Sequence, residues 1–188
     1  MKLSATRLAI PDVVLLEHEP FEDERGYFME VFKSEQFREL GLPELFVQFN
    51  ESRSARNVIR GLHFQWDPPM GKLMRVAEGA AFLVAVDIRH DSPTLGQWVA
   101  ETISAEDKRQ IWAPAGFARG LCALTDKTRV QYLCTATYNG VAESGLRWND
   151  PEIGVAWPVN DPLVSAKDRA AQTLSEWLVR DESKYFSL

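Results

Sequence analysis

Cysteine and histidine are scarce, positive charge is in deficit and no long apolar run occurs in this chain of 188 residues. The two cysteines, Cys122 and Cys134, each sit in an apolar stretch, without a CxxC pair or a Cys/His metal spacing. Buried free thiols are therefore expected. No apolar stretch approaches the ~20 residues that cross a bilayer. The N-terminal stretch MKLSATRLAIPDVVLLEHEP contains a Pro-Asp pair and acidic residues and lacks the form of a signal peptide. A cytoplasmic protein without a membrane partner is expected. Lys and Arg number 21 against 27 Asp and Glu, for a formal net charge of -6. That balance argues against nucleic acid as a partner, because phosphate backbones reward basic surfaces. A phosphorylated small molecule stays open, since it needs only a local group of Arg and Lys.

Low-complexity segments, repeats and Gly/Ser-rich linkers are also lacking, so a single domain over 1–188 fits, with a helical tail over about 165–188. Hydrophobic residues make up 45 % of the chain, enough for a core. SEQFRELG predicts one short helix: Ser34 caps it, Phe37 and Leu40 form its apolar edge, and Gly41 stops it. From about 45 to 140 the pattern changes to short runs divided by Gly, Pro, Asp and Asn. Strands are predicted over 45–50, 58–65, 73–77, 81–88, 97–103, 110–113, 121–124 and 130–138. Many short strands at this spacing define an all-β sandwich or barrel, with a jelly roll among the candidates. The segment 165–180 predicts helix, with SAKD as a capping box and Leu174, Trp177 and Leu178 on one face.

Of three histidines, His63 alone falls inside a predicted core strand, VIRGLHFQ. His90 precedes Asp-Ser-Pro on an expected exposed turn, and His18 lies among acidic residues. With so few imidazoles a three-histidine metal site is not expected. Acid–base work needs one imidazole near its ordinary pKa. Taken alone, a hydrogen-bonded core histidine is the better explanation of His63. Arg60 and His63 have opposite parity, so a regular strand points them apart; Gly61 could bring them together through a bulge. In VQYLCTATY a regular strand puts Tyr132 and Tyr138 on one face, about 20 Å apart at ~3.3 Å per residue. That span suits a reacting sugar and a nucleobase, but also plain aromatic packing. Arg25, Arg60, Lys72, Arg119 and Lys167 are candidate pyrophosphate partners or plain surface charges, with Arg60, inside the strand of His63, fitting the surface reading least. Asp168 either completes the capping box or holds an imidazole.

The segments FEDERGYFMEVF, FVQFNESRS, VIRGLHFQ, GKLMRVAEGAAFLVAVDIRHDSPTLGQWV, ISAEDKRQIWAPAGFARG, LRWNDPEIGVAWP and PLVSAKD, in this order, carry a resemblance. The chain resembles the dTDP-4-dehydrorhamnose 3,5-epimerase family, the RmlC-like cupins. The resemblance implies a cupin jelly-roll barrel and a homodimer with exchanged N-terminal strands, with neither cofactor nor metal. It also implies a dTDP-linked 4-keto-6-deoxyhexose as substrate. It assigns His63 as base, Asp168 as its orienting partner, Tyr132 as proton donor and Lys72 beside the sugar carbonyl. Tyr138 falls at the thymine-stacking position. Arg25, Glu30, Gln48, Asn50, Arg60, Glu143 and Lys167 fall at substrate contacts. Arg119 stands where the family usually has His, and Phe49 where it usually has an acidic residue. These departures leave open a 3-monoepimerase or an epimerase for another 4-keto sugar nucleotide. A 3,4-ketoisomerase and a non-catalytic sugar-nucleotide-binding cupin are the remaining readings.

Overall fold

The computed structural model describes residues 2–187. Its strands begin earlier than the sequence pattern indicates. β1 (Leu3–Arg7) and β2 (Val14–His18) form a hairpin. The Pro-Asp pair lies in its turn, where Val13 N–H donates to Ile10 C=O at 2.9 Å. β3 (Phe21–Asp23) and β4 (Gly26–Phe28) make a second, separate hairpin. α1 (Ser34–Glu39) follows. Ser34 is its first helical residue rather than its cap: Lys33 holds the cap position, with no side-chain bond. Phe37 is buried, and Gly41 ends the turn at φ +71°.

The remaining strands are β5 (Gln48–Ser54), β6 (Val58–Gln65), β7 (Lys72–Glu78), β8 (Ala80–Asp87), β9 (Trp98–Ser104), β10 (Arg109–Ala113), β11 (Phe117–Ala123), β12 (Thr128–Cys134), β13 (Glu143–Gly145) and β14 (Leu163–Val164). Among the described residues they form two six-stranded sheets together with β1 and β2. One runs β1-β2-β10-β7-β12-β5; the other runs β13-β6-β11-β8-β9, with β14 added beside β6. Neighbours in space are mostly distant in sequence, as a jelly roll requires. The fold class is therefore as expected: an all-β jelly-roll barrel of the cupin type.

Three of the four apolar clusters among the described residues lie between the sheets and on their outer faces. Leu83, Ala85, Ile103, Ile111, Phe117 and Val130 fill the space between the sheets. Val14, Leu16, Leu73 and Trp112 cover the outer face of the first sheet with Phe37 of α1. Leu62, Phe64 and Trp66 cover the outer face of the second with Trp177 and Phe186 from the C-terminal segment. Trp177 is fully buried, its ring 4.5 Å from Phe64. Truncating such an aromatic costs about 3–5 kcal/mol.

The C-terminal segment is not the single helix expected over 165–180. α2 (Ala166–Arg169) ends after one turn, and α3 (Leu174–Leu178) starts anew. Thr173 and Glu176 form a full capping box for α3, a signal the SAKD reading overlooked. A short 3₁₀ helix, Asp181–Phe186, closes the segment. The predicted strand 130–138 likewise stops at Cys134. Tyr138 therefore lies beyond β12, and the regular-strand spacing between Tyr132 and Tyr138 does not apply. His90 is not free on a turn: its Nε2 is 2.6 Å from Ser183 Oγ.

Candidate active site

The site begins with an irregularity in β6. In the β6–β11 pairing, His63 faces Arg119 and Arg60 faces Leu121. Three steps along β6 therefore match two along β11, leaving one extra residue on β6. Gly61 absorbs it at φ +112°. The bulge cancels the parity problem: Arg60 and His63 line one cavity, while Leu62 and Phe64 pack into the outer cluster. A Cβ on Gly61 would lie 2.6 Å from Arg119 O and 2.8 Å from Gly120 Cα, both backbone atoms. Gly61→Ala is therefore expected to cost about 1–3 kcal/mol from its backbone conformation alone. A lower urea midpoint and a lower kcat check this together, because the same shift moves His63.

His63 Nε2 lies 2.6 Å from Asp168 Oδ1. Asp168 comes from α2, whose N-cap Ser165 accepts a hydrogen bond from Asp168 N–H at 3.1 Å. The SAKD capping box forms only by half: the Asp168 N–H serves the cap, while its carboxylate is turned to the imidazole and receives Gly61 N–H at 3.4 Å. Burial works against the carboxylate charge. The bonds to His63, Gly61 and Ser165, with the His63 charge, outweigh burial and hold the Asp168 carboxyl below its usual range. With Nε2–H donated to Asp168, the lone pair of His63 sits on Nδ1.

The opposite wall comes from the other sheet. β12 places Tyr132 beside Met74 of β7 and Asn50 of β5. β7 begins with Lys72, whose Nζ is 5.2 Å from the centre of the Tyr132 ring. Burial, with the charge of Arg119 adding, pushes Lys72 down to about 8. Burial pushes the Tyr132 phenol up, so it stays protonated at neutral pH. Along β5 the half-buried Gln48, Asn50 and Ser52 alternate with exposed Phe49, Glu51 and Arg53. Phe49 is 60 % exposed on the face turned away from the cavity, so this departure does not alter the cavity wall. Ser54 ends this row and anchors Arg60, whose Nε donates to Ser54 Oγ at 3.0 Å. Sequence reading missed Ser52 and Ser54, although the polar alternation in QFNESRS marks the whole row.

The cavity has a volume of about 160 Å³ and is lined by Ser52, Arg60, His63, Lys72, Met74, Arg119, Leu121, Val130 and Tyr132. Drug-sized ligands fill roughly 300–1,000 Å³, so this space suits one small ring. A second depression of about 380 Å³ adjoins it at Arg60 and His63 and is lined by Lys167, Asp168 and β14. Lys167 Nζ donates to Glu143 Oε2 at 2.5 Å, and this bond holds the ammonium charged above its usual range. Tyr138 is 60 % exposed, and its N–H donates to Gln48 Oε1 at 2.7 Å. Gln65 is not a cavity residue: its amide holds Pro68, Thr137 and Asn139 through backbone bonds. Arg25 is bonded to Asp23 on the exposed β3–β4 hairpin, outside the cavity of its own chain. Glu30 follows that hairpin, with its backbone against His18. Among the described residues, no three His, Cys, Asp or Glu side chains are grouped as metal ligands.

Solved structures share this arrangement of strands. A dTDP-6-deoxy-D-glucose-3,5-epimerase from Legionella pneumophila, in complex with dTDP-4-keto-L-rhamnose, superposes with a TM-score of 0.92 at 40 % identity, covering 97 % of each chain. A 3'-monoepimerase from Streptomyces bikiniensis, in complex with dTDP-quinovose, superposes with a TM-score of 0.85 at 34 % identity. That match covers 89 % of this chain and 86 % of the other. The fold thus defines an isomerase of the cupin sugar-epimerase class. A dTDP-4-dehydrorhamnose 3,5-epimerase from Pseudomonas aeruginosa is 49 % identical over 93 % of this chain and 97 % of its own length. The chain belongs to the dTDP-4-dehydrorhamnose 3,5-epimerase family, whose sequence profile matches residues 7–176.

Proposed function

We propose that this protein epimerises C3 and C5 of a dTDP-linked 4-keto-6-deoxyhexose, with His63 as base and Tyr132 as acid. One observation carries the reading: His63 and Tyr132 line a single cavity from opposite sheets. A ketone at C4 acidifies the hydrogens on C3 and C5. His63 removes one of them, the electron pair moves onto the C4 oxygen as an enolate, and Tyr132 returns a proton to the other face. Asp168 orients His63 and stabilises the imidazolium. Lys72 presents positive charge to the enolate oxygen. The sugar occupies the inner cavity. The diphosphate and thymine extend past Arg60 toward Lys167 and Tyr138. The buried free thiols of Cys122 and Cys134 suit a reducing cytoplasm.

The working unit in this reading is a homodimer. Phe21, Tyr27 and Phe28 on the β3–β4 hairpin are exposed, and so are Val47 and Phe49 near the free edge strand β5. A partner covering these residues also gives Arg25 and Glu30 a second chain's cavity to face.

The test is incubation with dTDP-4-keto-6-deoxyglucose in D₂O, followed by NMR. Deuterium at both C3 and C5, with inversion at both, is the expected result. Deuterium at C3 alone identifies a 3-monoepimerase, the reading that the likeness to the Streptomyces bikiniensis enzyme keeps in view. A ketone that migrates from C4 identifies a ketoisomerase. Binding of dTDP without any exchange ends the catalytic reading.

A further inference from the structure

Arg119 is 4 % exposed, deep in the barrel on β11. Its Nη1 donates to Met70 C=O at 2.7 Å and to Pro114 C=O at 3.2 Å. Its Nε and Nη2 are buried without a hydrogen-bond partner. No carboxylate pairs with it among the described residues; the group that favours its charge is Cys134. A buried guanidinium with two idle donors is costly, and such groups are retained where a ligand completes them. Arg119 lines the same cavity as His63, Lys72 and Tyr132. The cavity thus holds Lys72 and Arg119 without an acid between them, while Asp168 is engaged by His63. Arg60 is already tied to Ser54 Oγ and to Arg53 C=O. No carboxylate lines the inner cavity, Glu143 acting on Lys72 only from outside it, and the proposed reaction creates negative charge on one oxygen.

We propose that Arg119 is a second oxyanion donor, holding the C4 enolate oxygen through Nε–H and Nη2–H opposite the Lys72 ammonium. This inference rests on the epimerase reading. Burial leaves Arg119 protonated, pushed down only to about 10, so the charge is present throughout the neutral range. Lys72, pushed down to about 8, loses its proton earlier as pH rises. Arg119 is then the donor that keeps its charge. Arginine also presents its donors in a fixed plane, whereas lysine is a point charge.

The experiment compares wild type, Arg119→Gln and Arg119→Lys with dTDP-4-keto-6-deoxyglucose. It reads kcat, deuterium exchange in D₂O, dTDP affinity and the thermal midpoint. Loss of one oxyanion donor lowers kcat by about 10²–10³-fold. Arg119→Gln is expected to show that loss, with the thermal midpoint undiminished and dTDP affinity unchanged, because dTDP lacks the sugar. Arg119→Lys is expected to recover part of kcat. A kcat within threefold of wild type for Arg119→Gln overturns the proposal. Loss of dTDP binding in step with kcat overturns it too, as does failure of both variants to fold, which assigns Arg119 to the scaffold. Absence of exchange in the wild type ends the epimerase reading itself and this inference with it. Exchange in wild type and Arg119→Gln alike ends the inference alone.

Discussion

His63→Ala is expected to lower both hydrogen exchange and inversion by about 10²–10⁴-fold, the usual contribution of a positioned acid–base group. The reason is specific to the geometry. Asp168 lies 2.6 Å from His63 Nε2 and is itself a carboxylate held below its usual range, but it sits behind the imidazole and is bonded to Gly61 and Ser165. It does not line the inner cavity. His63 is half-buried on the cavity wall and outside the apolar clusters, so alanine enlarges the cavity and leaves those clusters intact. Folding and dTDP binding are therefore expected to persist. Asp168→Asn is expected to move kcat in the same direction, because the imidazolium loses its counter-charge while the shape is kept. Exchange of sugar hydrogens in D₂O at near the wild-type rate in His63→Ala would end the role assigned to this residue.

Tyr132→Phe is expected to separate exchange from inversion. The ring packs against the inner cluster and lies 5.2 Å from Lys72 Nζ, and phenylalanine keeps both contacts. Only the hydroxyl is removed. His63 still takes a hydrogen and returns deuterium to the face it came from, so solvent label enters without a change of configuration. Inverted product falls by about 10²–10⁴-fold. Burial pushes the phenol up, which keeps the wild-type group protonated and ready to donate. The ratio of deuterated starting sugar to inverted product, read by NMR, rises steeply in the variant. Inversion keeping pace with exchange would place the second proton donor elsewhere.

Much of the architecture was legible from local pattern. The strand expected over 58–65 matches β6, and the strand expected over 110–113 differs from β10 by a single residue. Turn residues bounded both strands, although the alternation in β6 is broken by the bulge at Gly61. The row Gln48, Asn50, Ser52 carries a readable alternation, but the predicted strand over 45–50 began three residues early and stopped four short, so Ser52 was missed. The N-terminal hairpin was missed because its strands are short and its turn was read only as a break in an apolar run. The C-terminal helix was overextended because i, i+3, i+4 spacing in Leu174, Trp177 and Leu178 holds for one short helix as well as for a long one.

Sequence alone determined the residue types, their order along the chain and the all-β character, because propensity, turn chemistry and two-residue periodicity are local properties. The match of ordered segments to a known family was likewise a property of the linear chain. Tertiary structure decided which of those residues meet. Two features depended on contacts between residues far apart in the chain, which no local spacing encodes: the 105-residue separation closed by the His63–Asp168 bond, and the burial of Arg119 without a counter-ion among the described residues; the bulge at Gly61 was an open possibility in the sequence that the β6–β11 register decided.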